Sequence, residues 1–167
     1  MMQRPFPALV FGLFLVTVSG AALADCNGVA QAGVVWRRCA FDGQAMPGAR
    51  LTGAMLRDSS FQRADLTGAD LSDADGYRAK FISATLVGAR FDRARLIEVD
   101  FTRADLAGAS LRDADLRNAK LVGASLANAD LSGAKLGGAD LHNADLSGAR
   151  WTDGARLCGP RSVGECH

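Results

Sequence analysis

The chain has 167 residues, enough for one domain, with 19 basic and 18 acidic side chains and 49% hydrophobic residues. So even a charge balance excludes long-range attraction to nucleic acid or to an anionic membrane, and equally an acidic surface of the kind that imitates DNA.

The first 24 residues differ from the rest. Arg4 is the only early charge, and an apolar run from Phe6 to Val18 follows it. Small residues then lead to Ala22-Leu23-Ala24. A positive start, a short apolar stretch and an A-x-A site describe a secretory leader, cleaved after Ala24. The run is short for a bilayer core of about 30 Å, and Pro5 and Pro7 crowd its start, so a membrane anchor fits less well. Asp25 before Cys26 is a poor fit to a lipid-attachment site. The expectation is a periplasmic or secreted protein with no membrane span after cleavage. Without Arg4 it carries 18 basic and 18 acidic residues.

Cys26, Cys39, Cys158 and Cys166 all survive cleavage, and an even count in an exported chain reads as disulfides. Three pairings are open. Cys26–Cys39 and Cys158–Cys166 require the least chain crossing. Neither spacing is C-x-x-C and no histidine lies near the first pair, which argues against zinc. Residues 25–40 read as an N-terminal cap and 158–167 as a C-terminal cap or tail.

Between the caps, residues 41–157 repeat with a period of five. Across the 21 units centred on Leu51 to Trp151, 15 centres are Leu, four are Phe, one is Trp151 and one is Gly76. The residue two before the centre is Ala in 19 of them, the exceptions being Ser59 and Val99. Five fits neither the helix period of 3.6 nor the strand period of 2. A chain that turns a corner every five residues would bring each large centre and its alanine inward and leave three residues outside. Gly48, Gly53, Gly68, Gly88, Gly108, Gly123, Gly133 and Gly148, each two after a centre, suit corners with φ > 0.

The charges count the corners. The residue just before each centre faces out, and stacked coils lie about 4.8 Å apart, so like charges in register would repel. At a lag of 20 residues all nine charged pairs are opposite: Arg50/Asp70, Asp70/Arg90, Asp75/Arg95, Lys80/Asp100, Arg95/Asp115, Asp100/Lys120, Asp115/Lys135, Lys120/Asp140 and Asp130/Arg150. At a lag of 15, five are opposite and six alike; at 25, six and four. Four units per coil is therefore expected. Phe41, Phe61, Phe81 and Phe101 would stack in one column, and about six coils would make a rod roughly 28 Å long.

Runs such as Ala64-Asp65-Leu66-Thr67-Gly68 and Ala104-Asp105-Leu106-Ala107-Gly108 resemble the pentapeptide-repeat family, with its A-[D/N]-L-x-x pattern. The likeness covers about residues 39–157. It implies an all-β fold, a right-handed quadrilateral β-helix or solenoid. The stretch Gly33-Val34-Val35-Trp36-Arg37-Arg38-Cys39 and the Cys-containing tail resemble the flanks of an exported bacterial subset. The best understood relatives protect DNA gyrase from quinolones by imitating DNA. This chain departs from them through its leader, its lack of net negative charge and the absence of an obvious apolar C-terminal dimer seam.

An open solenoid end needs covering. Trp36 and Val35 are expected to cover the first coil and Trp151 the last. The phase then slips by one, and Ala155-Arg156-Leu157 reads as a late unit. Gly76 would leave a void that Tyr77, shifted phenylalanines or Val99 could fill. No catalytic, cofactor or metal site is expected: His142 faces outward, the carboxylates have basic neighbours in register, and no Gly-rich phosphate loop opens a helix.

The faces differ. One column, Pro47-Gly48, Thr67-Gly68, Val87-Gly88, Ala107-Gly108, Ala127-Asn128 and Ser147-Gly148, carries no charge. Thr67, Val87, Ala107, Ala127 and Ser147 make it a candidate contact face; turn geometry alone also accounts for its small residues. The resulting expectation is a non-catalytic, exported, protein-binding scaffold of the cell envelope, monomeric, with a partner the sequence does not name. The alternative is a DNA-mimic type inhibitor or protector of a DNA topoisomerase.

Overall fold

The computed structural model describes residues 26–167; the leader read at residues 1–24 lies outside the described residues. From Gln31 on, the chain makes one tight turn every five residues. The turns are closed locally, as where the Ala54 N–H donates to the Leu51 carbonyl at 3.0 Å and Ala64 to Phe61 at 3.1 Å, except at Trp36–Cys39, whose carbonyl and N–H both bond the Ser59 hydroxyl. The second residue after each centre has φ > 0 throughout, from Gly33 (70°) to Gly148 (71°). Positive φ at the third of four residues alone is the type II pattern. Several of these corners hold residues with a Cβ, such as Ser83 at 54° and Arg103 at 57°.

Between turns the chain has room for a single bridge residue. Parallel bridges join residues 20 apart, from Val35–Met55 through to Asp130–Arg150. The 20-residue lag read from charge is thus the lag of the backbone, and with five residues per corner it gives four sides. All nine opposite-charge pairs occur among these bridges. Hydrogen bonds run along the axis on every side: Leu51 N–H to Asp70 C=O (2.7 Å), Gly53 N–H to Ser72 C=O (2.8 Å) and Asp70 N–H to Ala49 C=O (2.9 Å) form one set. A chain that pairs its backbone this way can bury it without orphaned groups. Val35 and Ala40 already belong to the ladder, so the first coil begins within the segment read as a cap.

Inside, the centres and their alanines form one continuous core, with Leu51, Phe61, Ala64, Leu66, Phe81, Leu86, Phe101 and Leu106 fully buried. Phe41, Phe61, Phe81 and Phe101 stack at 5.2, 5.0 and 5.2 Å between successive ring centroids, close to the strand spacing of about 4.8 Å expected for stacked coils. Phe91 meets Phe81 and Phe101 edge-on at 5.9 and 5.6 Å. Both stacked and edge-on arrangements suit the ring quadrupole.

The void expected at Gly76 is filled by another route. A Cβ at Gly76 would lie 3.0 Å from Cδ2 of Leu96, the next centre in the same column. Leu96 therefore occupies the space. Tyr77 instead stands outside, its hydroxyl 3.3 Å from Glu98 and its ring 5.0 and 5.1 Å from the Arg78 and Arg95 guanidinium carbons.

At the N-terminal end Trp36 is buried against Phe41, centroids 4.3 Å apart. Cys39 sits at an inward alanine position and is bonded to Cys26. Ser59, the exception in the alanine column, is fully buried; its hydroxyl donates to the Trp36 carbonyl and accepts from the Cys39 N–H at 3.2 Å.

The C-terminal end corrects the sequence reading. Leu157 is not the centre of a late unit: it is 59% exposed and bridges Arg150 in the antiparallel sense. After the Thr152–Gly154 corner the chain reverses, because Gly154 closes a turn onto Trp151 and Trp151 N–H bonds Arg156 C=O. The tail then runs back over the last coil, with Val163 opposite Asp145. The Cys158–Cys166 disulfide closes it. Spacing could not reveal a reversal, since one residue of slip and one of turn look alike in sequence.

Candidate contact face

The column of Thr67, Val87, Ala107, Ala127 and Ser147 is continuous in space. Gly68 N–H reaches Val87 C=O at 2.8 Å, Gly88 reaches Ala107 at 2.9 Å, Gly108 reaches Ala127 at 2.8 Å and Asn128 reaches Ser147 at 2.9 Å. Thr67 and Val87 are exposed and the other three are half-buried. Val87 is one of the few large apolar side chains on the described surface, at 37% exposure. Short side chains on a backbone ladder make this side flat.

Asp65, Asp105 and Asp145 precede the column, but their carboxylates are turned into it. Asp65 accepts from the Thr67 N–H at 3.0 Å and its hydroxyl at 2.6 Å. Asp105 accepts from the Ala107 N–H at 3.1 Å and Asp145 from the Ser147 N–H at 2.9 Å. Hydrogen bonds from the Thr67 side chain and backbone hold Asp65 below the usual carboxylate range, and those from Ser147 do the same for Asp145. The same local cap recurs at Asp70, Asp100, Asp130 and Asp140, whose carboxylates accept from the N–H two residues on. This role explains why the position takes Asp and not Glu, a signal the repeat pattern carries and the charge count missed.

The remaining sides hold the ion pairs. Arg93 clasps Asp73 with two bonds of 2.8 and 2.7 Å, Arg78 meets Glu98 at 2.8 Å and Arg112 meets Asp130 at 2.7 Å. Of the nine lag-20 pairs only Arg95–Asp75 (3.2 Å) and Lys120–Asp100 (4.0 Å) touch as ions. A shallow depression lined by Asp58, Arg78, Lys80, Glu98, Asp100, Asn118 and Lys120 lies on this charged surface. Its carboxylates alternate with cations, an arrangement without the separated acid and base that general catalysis requires. His142 is exposed, as expected from its position. Among the described residues no group of His, Cys, Asp and Glu is placed to hold a metal, and no helix is long and apolar enough to cross a membrane.

The family model for pentapeptide repeats (8 copies) matches residues 37–73, 77–113 and 109–148. The chain belongs to the pentapeptide-repeat family. Its repeats form the right-handed β-helix solenoid of that family, whose members are in general non-enzymatic structural or binding modules. The chain is similar to a pentapeptide repeat protein of the cyanobacterium Cyanothece 51142, with 22% identity over 70% of this chain and 90% of that one and a TM-score of 0.47. It is also similar to QnrB1, a plasmid-mediated fluoroquinolone resistance protein, with 21% identity over 71% and 68% and a TM-score of 0.33. A third similar structure is a pentapeptide repeat protein of the Arabidopsis thaliana thylakoid lumen, with 23% identity over 77% and 84% and a TM-score of 0.29. No curated protein matches the chain significantly.

Proposed function

We propose that this pentapeptide-repeat protein is an exported, non-catalytic scaffold of the cell envelope, a rod of about six coils that binds a protein partner through the side bearing Thr67, Val87, Ala107, Ala127 and Ser147. One observation carries the reading: among the described residues every ion pair lies off this side, while its three acids are bound into their own turns. A side whose few charges are already hydrogen-bonded within their own turns can be covered at a smaller electrostatic cost than the sides that carry the ion pairs. The leader at residues 1–24 supports export. The topoisomerase alternative draws less support, because a DNA mimic needs a surplus of negative charge, while the chain has 19 basic against 18 acidic residues and most of the described carboxylates are hydrogen-bonded in their own turns or paired with arginine.

Photo-crosslinkers at Ala107 and at Arg93 test the face in envelope extract. Capture from Ala107 alone is expected; equal capture, or none, sinks it. Fusing residues 1–24 to a reporter active only outside the cytoplasm tests the location, and a silent reporter would remove the envelope from the reading.

A further inference from the structure

The C-terminal cap is half a coil. The tail lies over the sides that carry Arg150 and Asp145 and reaches Ala144, whose carbonyl accepts from Gly164 N–H at 2.8 Å. The other two sides of the last coil, centred on Leu136 and Leu141, have no bridge or backbone hydrogen bond to the tail, although Gly164 lies against the Leu141–Asn143 corner. Leu136, Ala139 and Leu141 are only partly buried there, although their counterparts one coil earlier, Leu116, Ala119 and Leu121, are fully buried. The N–H groups of Leu136 and Leu141 and the carbonyls of Ala134 and Ala139 have no hydrogen-bond partner among the described residues. In every lower coil these same groups are bonded, as Leu116 N–H is to Lys135 C=O at 3.0 Å.

The tail has a free edge of its own. Around Leu157 the bonds to the coil are made by its neighbours: Cys158 N–H to Ala149 C=O (2.8 Å) and Trp151 N–H to Arg156 C=O (2.8 Å). Around Val163 they are Leu146 N–H to Ser162 C=O (2.8 Å) and Gly164 N–H to Ala144 C=O (2.8 Å). The N–H and C=O of Leu157 and of Val163 therefore point away from the coil, and they too have no partner among the described residues.

These two free edges match. We propose that two copies of this chain join end to end about a two-fold axis through the His142–Asn143 corner, each tail filling the half-layer that the other copy leaves open. The axis carries the Asp140 side onto the Asp145 side and the Lys135 side onto the Arg150 side. Val163 then lies between Asp145 and the partner's Asp140, and Leu157 between Arg150 and the partner's Lys135. At each place the tail residue has one N–H and one C=O, and the coil edge offers the carbonyl before and the N–H after the bridge position. That is the bonding of the parallel ladder below. Running the tail backwards on its own coil makes it parallel to the inverted partner's coil, so the direction agrees as well. The two tails together make one four-sided layer, which pairs the free edges at this end of both rods about a closed two-fold contact. Leu157 and Val163 are exposed apolar residues at bridge positions, where the coils mostly carry charge; here they separate like charges, basic around Leu157 and acidic around Val163.

Sedimentation equilibrium of the disulfide-intact protein and four surface variants tests this, with circular dichroism reporting the fold. A dimer is expected. Leu157→Lys and Val163→Asp add a like charge between like charges and should each weaken it roughly tenfold, since the axis places each substitution in the interface twice. Leu157→Asp and Val163→Lys should tighten it. In a Lys135→Glu background the penalty of Leu157→Lys should shrink or reverse, which an effect through Arg150 of the same chain would not produce. A monomer at every concentration up to about 1 mM overturns the proposal. So does a dimer indifferent to these charges, which would form through another surface. Either result leaves the crosslinking test of the side face standing.

Discussion

Phe81 lies flat on Phe61, ring centroids 5.0 Å apart and planes 6° from parallel, in the middle of a column that also holds Phe41 and Phe101. Each ring is floor to one neighbour and ceiling to another, so its removal opens the core on two levels. Phe81→Ala should cost about 3–5 kcal/mol and Phe81→Leu distinctly less, measured by urea unfolding. Since each coil touches only its neighbours, hydrogen exchange should rise first in the coils around residue 81. A uniform rise along the rod would contradict that locality.

Ser59 gives the opposite lesson about polarity in the core. Its hydroxyl joins the Trp36 carbonyl to the Cys39 N–H and ties the end of the rod to its second coil. Ser59→Ala restores the repeat consensus, yet it should destabilise by about 1–3 kcal/mol, because two buried groups lose their partner. If the consensus residue proves neutral or stabilising in a thermal melt, the hydroxyl is not what holds the end.

The corners can be tested by exchanging side chains at two exposed positions. Gly88 has φ +65° and open space where a Cβ would stand, so Gly88→Ala should cost about 1 kcal/mol from backbone strain alone. Ser83 already carries that strain at φ 54°, and Ser83→Gly should recover up to about 1 kcal/mol, less the entropy that glycine loses on folding. Equal effects of the same sign from both substitutions would deny the strain.

Acid should loosen the rod in a defined direction. Asp65 and Asp145, bonded by Thr67 and Ser147, and Asp73, bonded by Arg93, all have depressed folded-state pKa values. The unfolded chain takes up protons first, near its ordinary aspartate value of about 3.9, so stability is full above that pH and is lost as pH falls through the lower folded values. Urea midpoints should be flat from about pH 5 to 8 and drop below about pH 4. Replacing Asp145 by Asn should flatten part of that drop; an unchanged profile would exclude it as a contributor.

Each disulfide closes a short loop, with cysteines 13 and 8 residues apart. Reduction should add four hydrogens to the intact mass, two for each bond. Loss of Cys26–Cys39 should cost up to about 3 kcal/mol and expose the Trp36 end. Tryptophan emission should therefore shift to the red on reduction, and an unmoved spectrum would mean the cap stays seated without its bond.

Much of this architecture could be read in the residues. The period of five gave the corners, and the sign alternation from Arg50/Asp70 to Asp130/Arg150 gave the coil length, because stacking repeats one outward position every 20 residues. The ion pairs themselves could not be read. Arginine is long enough to reach a diagonal acid, as Arg57 reaches Asp75 and Arg112 reaches Asp130, while the Asp at the bridge position is held by its own turn. The composition of the contact side was legible because it depends on which residues share a column. The reversal after Trp151 was not, because it rests on a single turn outside the pattern.

Near-identical units create a hazard that the Gly76–Leu96 fit bears on. A chain of such units could thread itself five or twenty residues out of phase and still bury leucine on leucine. In the native alignment the missing side chain at Gly76 receives Leu96 in the next coil. A slip of five residues would instead bring the broad ring of Phe91 or Phe101 over the notch that the tip of Leu96 enters. Ser59, which finds its two partners only beneath Trp36, penalises the same errors from the other end. The two departures from the repeat are thus the marks by which the folding chain can tell one coil from the next.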